Sequence, residues 1–249
     1  YTVIAFNIPW NGYQKSQITL PEQYRLLTTK LVAELFWDGI DALGIKDLYA
    51  IIGGSIGGSI GWEMAFLRPR AIRHLIPIAC NYQASDWLIA NVLVQESILN
   101  HSVHPIEDAR KHAMLLYRTP SSFDVKFERK FKKAEDKYAV ESWLEYHGAT
   151  LKNRFLLNSY KIINHLLKTI GRDITDSDII QFSRSSDLKI HIVSVNTDYM
   201  FTRQEQIRTY ETISRYKSSI LYSEIQSIHG HDAFLIEYEQ LNQILKNNF

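Results

Sequence analysis

The sequence predicts a doubly wound α/β fold on three observations. Runs of apolar, β-branched and aromatic residues bounded by turn residues recur at positions 1–7, 47–53, 72–80, 188–195 and 220–226. Helical patterns separate most of these runs, and strands that alternate with helices build a mostly parallel sheet covered on both faces. The glycine-rich stretch IIGGSIGGSIGW, residues 51–62, follows the second run directly. Glycine inside an element costs roughly 0.5–1 kcal/mol relative to alanine, so such a cluster implies either a membrane-helix interface or a backbone forced into an unusual turn.

Taken in order, YTVIAFN at 1–7 has strand-type residues. Positions 21–43 read as a helix with Leu26, Leu27, Leu31, Leu35 and Phe36 on its apolar face. The run at 47–53 is the second strand, and 57–67 continues from it as a helix. After the strand at 72–80 the alternation stops. Residues 85–186 are almost wholly helical in pattern, rich in charges and aromatics, and contain no convincing strand. An insertion of this length between two strands reads as a lid over the strand ends, where open α/β sheets bind ligands. The core is therefore expected at 1–84 and 187–249, with the lid at 85–186. Strand 188–195 leads to a helix at 202–216, opened by Thr202-x-x-Glu205, which fits a capping box. Strand 220–226 closes the sheet.

Composition narrows the function classes. The 249 residues are 45% hydrophobic and 22% charged with a formal net charge of +1, which favours neither an acidic polymer nor a membrane surface as partner. The single cysteine, Cys80, forms no internal disulfide and reads as a buried core thiol. With no metal-type Cys/His spacing, a reducing compartment such as the cytoplasm is the expected home and no metal is expected. Gly54-x-x-x-Gly58 and Gly57-x-x-x-Gly61 resemble a membrane-helix dimer face. The uncharged segment around them, 48–62, is shorter than the roughly 20 residues a span requires. The N-terminus lacks a basic region of the signal-peptide kind, so no membrane partner is expected. The stretch KFERKFKKAEDK, 126–137, reads as a solvated helix with Phe127 and Phe131 facing inward rather than as a nucleic-acid patch.

The turn at 53–57 spells Gly-Gly-Ser-Ile-Gly at the end of a strand and the start of a helix, the position of a Gly-x-Ser-x-Gly nucleophile elbow. In that geometry Ser55 stands above the sheet and the N–H of Ile56 points at a developing oxyanion. A glycine-rich phosphate turn is the plainer alternative, but no Gly-x-x-x-x-Gly-Lys is present. A serine nucleophile needs a base, and the chain order Ser, acid, His supplies one. Asp198 follows the apolar run HIVSV and precedes the helix capped by Thr202. His231 lies just before a terminal apolar helix, with His229 as its competitor two residues earlier.

These residues resemble the homoserine O-acetyltransferase family of α/β-hydrolase-fold acyltransferases. GGSIGGSIGWEMAFLRP is similar to that family's elbow and following helix, and HGHDAFL to its Gly-His-Asp-Ala-Phe-Leu signature. ARKHAMLLYRT, VESWLEYHG and NRFLLNSY resemble stretches of its helical lid. The resemblance implies Ser55 as nucleophile, Asp198 as orienting acid and His231 as base. Arg118 and Asp232 match positions that hold the carboxylate and ammonium of the amino-acid acceptor. It also implies acetyl-CoA and L-homoserine as substrates, with acetyl-CoA a co-substrate and no bound cofactor, a place in methionine biosynthesis, and a homodimer formed through the lid. Succinyl transfer, serine as acceptor, ester hydrolysis and a catalytically inactive interaction module are the alternatives.

The chain also departs from the pattern. The family's early strands, and the loop that donates the second oxyanion N–H, have no counterpart before Tyr1. One of the missing strands would lie between two that are present. Ser59 and Ile60 after the elbow, and Tyr199 and Met200 after the acid, differ from the family as well.

Overall fold

The computed structural model describes residues 1–12, 23–185, 187–246 and 248. Four parallel strands, β1 (Leu48–Gly54), β2 (Ile72–Ile78), a strand at Lys189–Val195 and another at Ile220–Ile225, lie side by side in chain order. Each is within two residues of its expected bounds. The pairing is in register for burial: Leu75 faces Ile190, which in turn faces Ile220, and all three are buried.

Helix α1 (Thr29–Ala42) starts where Thr28 Oγ1 accepts from Leu31 N–H. This is later than the expected start: Tyr24–Leu26 is a separate 3₁₀ turn, and positions 21 and 22 lie outside the described residues. Helix α2 (Ile56–Leu67) follows the elbow, and nearly every residue from Gly58 to Ala65 is buried. That burial on all sides explains why its sequence is mostly apolar rather than striped, and its two buried polar residues, Ser59 and Glu63, are hydrogen-bonded.

Between β2 and the third strand of the sheet the chain builds α3 (Asp86–His101), α4 (Pro105–Tyr117) and α5 (Pro120–Phe127). A small antiparallel hairpin of β3 (Phe131–Lys132) and β4 (Lys137–Tyr138) comes next, then α6 (Ala139–Lys152), α7 (Leu157–Leu167) and α8 (Asp176–Ser185). The sheet strands at 189–195 and 220–225 are accordingly β5 and β6. They flank α9 (Arg203–Ser214), which opens on the expected capping box of Thr202 and Glu205. The chain ends in α10 (Ala233–Ile236) and α11 (Tyr238–Lys246). One core joins α1, α2, α7, α8 and α9 to one face of the sheet around Trp37, Trp62, Leu166 and Phe201. On the other face, Ile76, Ile78, Val193, Val195 and Ile225 pack under α10 and α11. Both faces are thus covered, as the alternation of elements requires.

Two expectations are corrected. Residues 1–7 do not form a strand, because β1 pairs with β2 and residues 1–7 join no ladder. The segment lies against α1 and β1 instead: the Phe6 ring stacks on Phe36 of α1 at 4.7 Å, and the Tyr1 ring meets Tyr49 of β1. A strand-type composition cannot make a strand without a neighbour to bond. The stretch 126–137 is not one helix either. Glu128 and Arg129 both take left-handed backbone angles (φ 47° and 54°), which ends α5 and turns the chain into the β3–β4 hairpin. Phe127 is buried as expected, whereas Phe131 is half exposed against Tyr138.

The elbow depends on backbone packed against backbone. A Cβ at Gly58 would sit 2.5 Å from the Gly53 carbonyl oxygen and 2.4 Å from Cys80 Sγ, whereas a Cβ at Gly57 would meet nothing within 4 Å. Gly58→Ala should therefore destabilise the fold by roughly 1–3 kcal/mol through overpacking. Gly57→Ala should stabilise it by up to about 1 kcal/mol through helix propensity. Urea midpoints of the two variants check this, and equal shifts would contradict the packing account.

Candidate active site

Ser55 sits between β1 and α2 with φ 54° and ψ −133°, a strained conformation for a residue with a Cβ. Its own N–H is held by the Ile78 carbonyl at 2.9 Å, so the end of β2 fixes the turn. Ile56 is the first residue of α2, and its N–H has no acceptor one turn earlier within the helix. It therefore stands beside the Ser55 hydroxyl at the positive end of the helix dipole.

Asp198 follows β5 and is buried. Its Oδ1 accepts from the N–H groups of Met200 and Phe201 at 2.7 and 2.9 Å, leaving Oδ2 to accept from His231 Nδ1 at 2.7 Å. The other ring nitrogen, Nε2, lies 2.9 Å from Ser55 Oγ. Residues 55, 198 and 231, far apart in sequence, are thus one line of hydrogen bonds. The ring of His231 is walled by Tyr117, Phe201 and Phe234, with centroids 5.5 to 5.8 Å away. His229, the competitor, turns away and pairs with Ser122 Oγ at 3.0 Å.

The loop carrying His231 is tied down on both sides. Thr197 Oγ1 donates to the Ser227 carbonyl and accepts from Gly230 N–H, while Thr119 Oγ1 donates to the Ile228 carbonyl. Gly230 has φ +67°, and a Cβ there would approach the Tyr117 carbonyl oxygen to 2.9 Å. Only glycine lets this loop lie on the end of α4.

Arg118, at the C-terminal end of α4, and Asp232, next to His231, are brought together. Arg118 Nη1 lies 3.8 Å from Asp232 Oδ2, and both side chains are largely buried. Sequence reasoning missed a second cation at this place. Arg110, two helical turns before Tyr117 on the same face of α4, lays its guanidinium over the Tyr117 ring at 5.4 Å, and its field reaches Asp232. The spacing of Arg110 and Tyr117 within ARKHAMLLYRT was the available signal.

Burial pushes the Asp232 carboxyl above its ordinary range, and Arg118, His231 and Arg110 pull it back only in part. Burial also works against a charged His231, but the charge and hydrogen bond of Asp198 outweigh it, so the imidazole ends above its ordinary value. Cys80 plays no part: burial pushes its thiol far up, and it packs beneath the elbow. Ser59 is committed as well, donating to the Asn81 carbonyl at 2.8 Å. Among the described residues no group of three metal-type ligands occurs, and no helix is long and apolar enough to cross a membrane.

The sign of the His231 shift makes a test. A group raised in the folded state contributes stability that is complete below its unfolded value of about 6.5 and is lost as pH rises through the folded value. Asp198→Asn keeps an Oδ1 acceptor for Met200 and Phe201 but removes the charge. The His231 pKa, followed by imidazole NMR titration, should then fall below the ordinary value because burial acts nearly unopposed. An unmoved titration would mean that Asp198 does not set the state of the ring.

No family model matches the chain. The homoserine O-acetyltransferase of Cyclobacterium marinum is 34% identical over 82% of the chain and 60% of its own length, and that of Nautilia profundicola 31% over 99% and 76%. The chain thus spans about three fifths of the length of the first of these relatives. Among solved structures, esterase E22 superposes with a TM-score of 0.82 over 96% of the chain and 74% of its own, at 14% identity, a likeness of fold alone. The fold is that of the α/β-hydrolases, and the chain belongs to the homoserine O-acetyltransferase family.

Proposed function

We propose that this protein transfers an acetyl group from acetyl-CoA to the side-chain hydroxyl of L-homoserine through an acetyl-Ser55 intermediate. The observation that carries the reading is the line Ser55–His231–Asp198 with the Arg118–Asp232 pair beside it. In the first half-reaction His231 Nε2 takes the Ser55 proton, and Oγ attacks the thioester carbonyl carbon. The C–S bond breaks, and the proton on Nε2 passes to the departing thiolate. In the second, Nε2 takes the proton of the homoserine hydroxyl, whose oxygen attacks the acetyl carbon. Ser55 then leaves and recovers a proton from His231. The Ile56 N–H, at the start of α2, is one donor to the oxyanion of both tetrahedral intermediates.

Homoserine is a zwitterion, and its recognition calls for one planar cation and one carboxylate. Arg118, seconded by Arg110, suits the carboxylate, and Asp232 suits the ammonium. An ammonium beside Asp232 would also favour the ionised form that burial disfavours. The helices α3 to α8 serve this reading as a lid that excludes water, so that transfer outruns hydrolysis. A homodimer would bury the exposed Ile89, Leu93 and Val94 of α3 and Leu115 of α4. The cytoplasm, where acetyl-CoA and a reduced Cys80 coexist, is the setting of the reaction.

Ser55→Ala should abolish the acetyl-enzyme adduct in intact-mass measurements and lower turnover on the order of 10⁶-fold. Ser59→Ala should change turnover far less. An adduct that persists in Ser55→Ala would move the nucleophile elsewhere. CoA release without any acceptor would mark a hydrolase instead.

The acceptor pocket is tested separately. Arg118→Ala and Asp232→Asn should spare acylation by acetyl-CoA yet weaken use of homoserine. Loss of a desolvated charge pair costs about 2–5 kcal/mol, which is roughly 30-fold to several thousand-fold at 1.4 kcal/mol per decade. Single-turnover kinetics of the two half-reactions reads the split. Equal slowing of both would make Arg118 a structural residue.

A further inference from the structure

The β3–β4 hairpin and the helix end before it have a charge the catalytic reading does not use. Positions 126–137 carry six basic and three acidic side chains, against a net +1 for the whole chain, so the remainder is net acidic. Glu128 pairs with Lys130, Glu135 with Lys132, and Lys137 with Glu145 outside the segment, while the third acidic residue, the exposed Asp136, has no ion pair among the described residues. Lys126, Arg129 and Lys133 are exposed and have no carboxylate partner among the described residues.

Aromatic faces accompany these cations. Lys126 lies over Trp143 at 5.6 Å and over Phe127 at 5.8 Å, and Arg129 over Tyr138 at 5.9 Å. A cavity of about 310 Å³ opens here, lined by Phe127, Arg129, Lys130, Tyr138 and Val140. Unpaired cations beside aromatic walls suit a ligand that joins phosphate groups to a planar base.

The place of the hairpin relative to Ser55 is defined by α5. The first turn of α5 touches the catalytic loop through Thr119 and Ser122, which bond Ile228 and His229. Its eight residues then lead away for about 12 Å to the hairpin. A donor whose reacting thioester sits at the far end of a long flexible arm spans that distance; a small ester does not.

We propose that the β3–β4 hairpin, with Lys126 and Trp143, is the docking subsite for the phosphorylated nucleotide end of the acyl donor. The proposal rests on the acetyl-CoA reading above and deepens it. The arm of the donor runs along α5, so that the hairpin holds the anionic end while Ser55 receives the acyl group.

The test removes three exposed charges that make no ion pair among the described residues. In the protein with Lys126→Ala, Arg129→Ala and Lys133→Ala combined, the KM for acetyl-CoA should rise about tenfold, equivalent to about 1.4 kcal/mol. The KM for the short thioester S-acetyl-N-acetylcysteamine should stay within twofold. Added salt should weaken use of acetyl-CoA by the unsubstituted protein and affect the triple variant less. An acetyl-CoA KM that moves less than twofold, or a short-thioester KM that rises in step, overturns the proposal.

Calorimetric titration with desulfo-CoA and with pantetheine separates the two readings. Desulfo-CoA that binds more tightly than pantetheine, with the advantage lost in the triple variant, supports the subsite even where no acetyl transfer is seen. Desulfo-CoA that binds no better than pantetheine overturns the subsite even where homoserine is acetylated.

Discussion

The close approach of α2 to the end of β1 governs where the Ser55 hydroxyl can stand. Gly53 and Gly58 meet backbone to backbone, with Cys80 filling the space beneath. No side chain fits there, so the strand reverses into the helix within one residue, and that residue, Ser55, must accept a positive φ. Strain of this kind is of the order of 1–3 kcal/mol, offset by the packing of a helix buried on nearly all sides. The consequence is geometric. The serine hydroxyl is lifted off the sheet toward His231, and the start of a helix lies directly behind it.

The second constraint is electrostatic. Asp198 is a buried carboxylate, and an isolated one would be expensive. Two backbone N–H groups and the imidazole of His231 satisfy it, and the same contacts orient the ring toward Ser55. Asp232 is placed differently: burial raises it, and its cationic neighbours, Arg118 and Arg110, lie on the helical insertion. The core of the fold therefore supplies the line Ser55–His231–Asp198, while α4 supplies the cations beside it. Residues 227–232 join the two, since they bond both to the loop after β5 and to the start of α5, directly after α4.

Much of this was legible in sequence, and the misreadings have physical causes. The four strands of the sheet were visible as short runs rich in β-branched, apolar and aromatic residues, a local signal that is strongest in the buried central strands β2 and β5. The same signal at 1–7 misled, since composition reports a tendency to pair and not the presence of a partner. The hairpin after α5 was hidden because charged and aromatic residues at 126–137 suit a solvated helix. Its cause was two consecutive left-handed residues, Glu128 and Arg129, neither of which announces that conformation. Arg110 was overlooked because one arginine in a charged helix looks like a solvated one until its ring partner is located.

The sequence by itself determined the fold class, the glycine-rich strand-to-helix turn at Ser55 and the capping box that starts α9, because each depends on near neighbours along the chain. Only the tertiary structure separates His229 from His231, since both occupy equivalent local settings and differ in what lies opposite them: Ser122 for one, Ser55 and Asp198 for the other. It alone placed Arg118 and Arg110 around Asp232, separations of more than a hundred residues closed by the packing of α4 against the loop that carries His231. Local order follows from backbone preference and the periodicity of apolar residues. A site follows from which surfaces the buried core forces together, and that is a property of the whole chain.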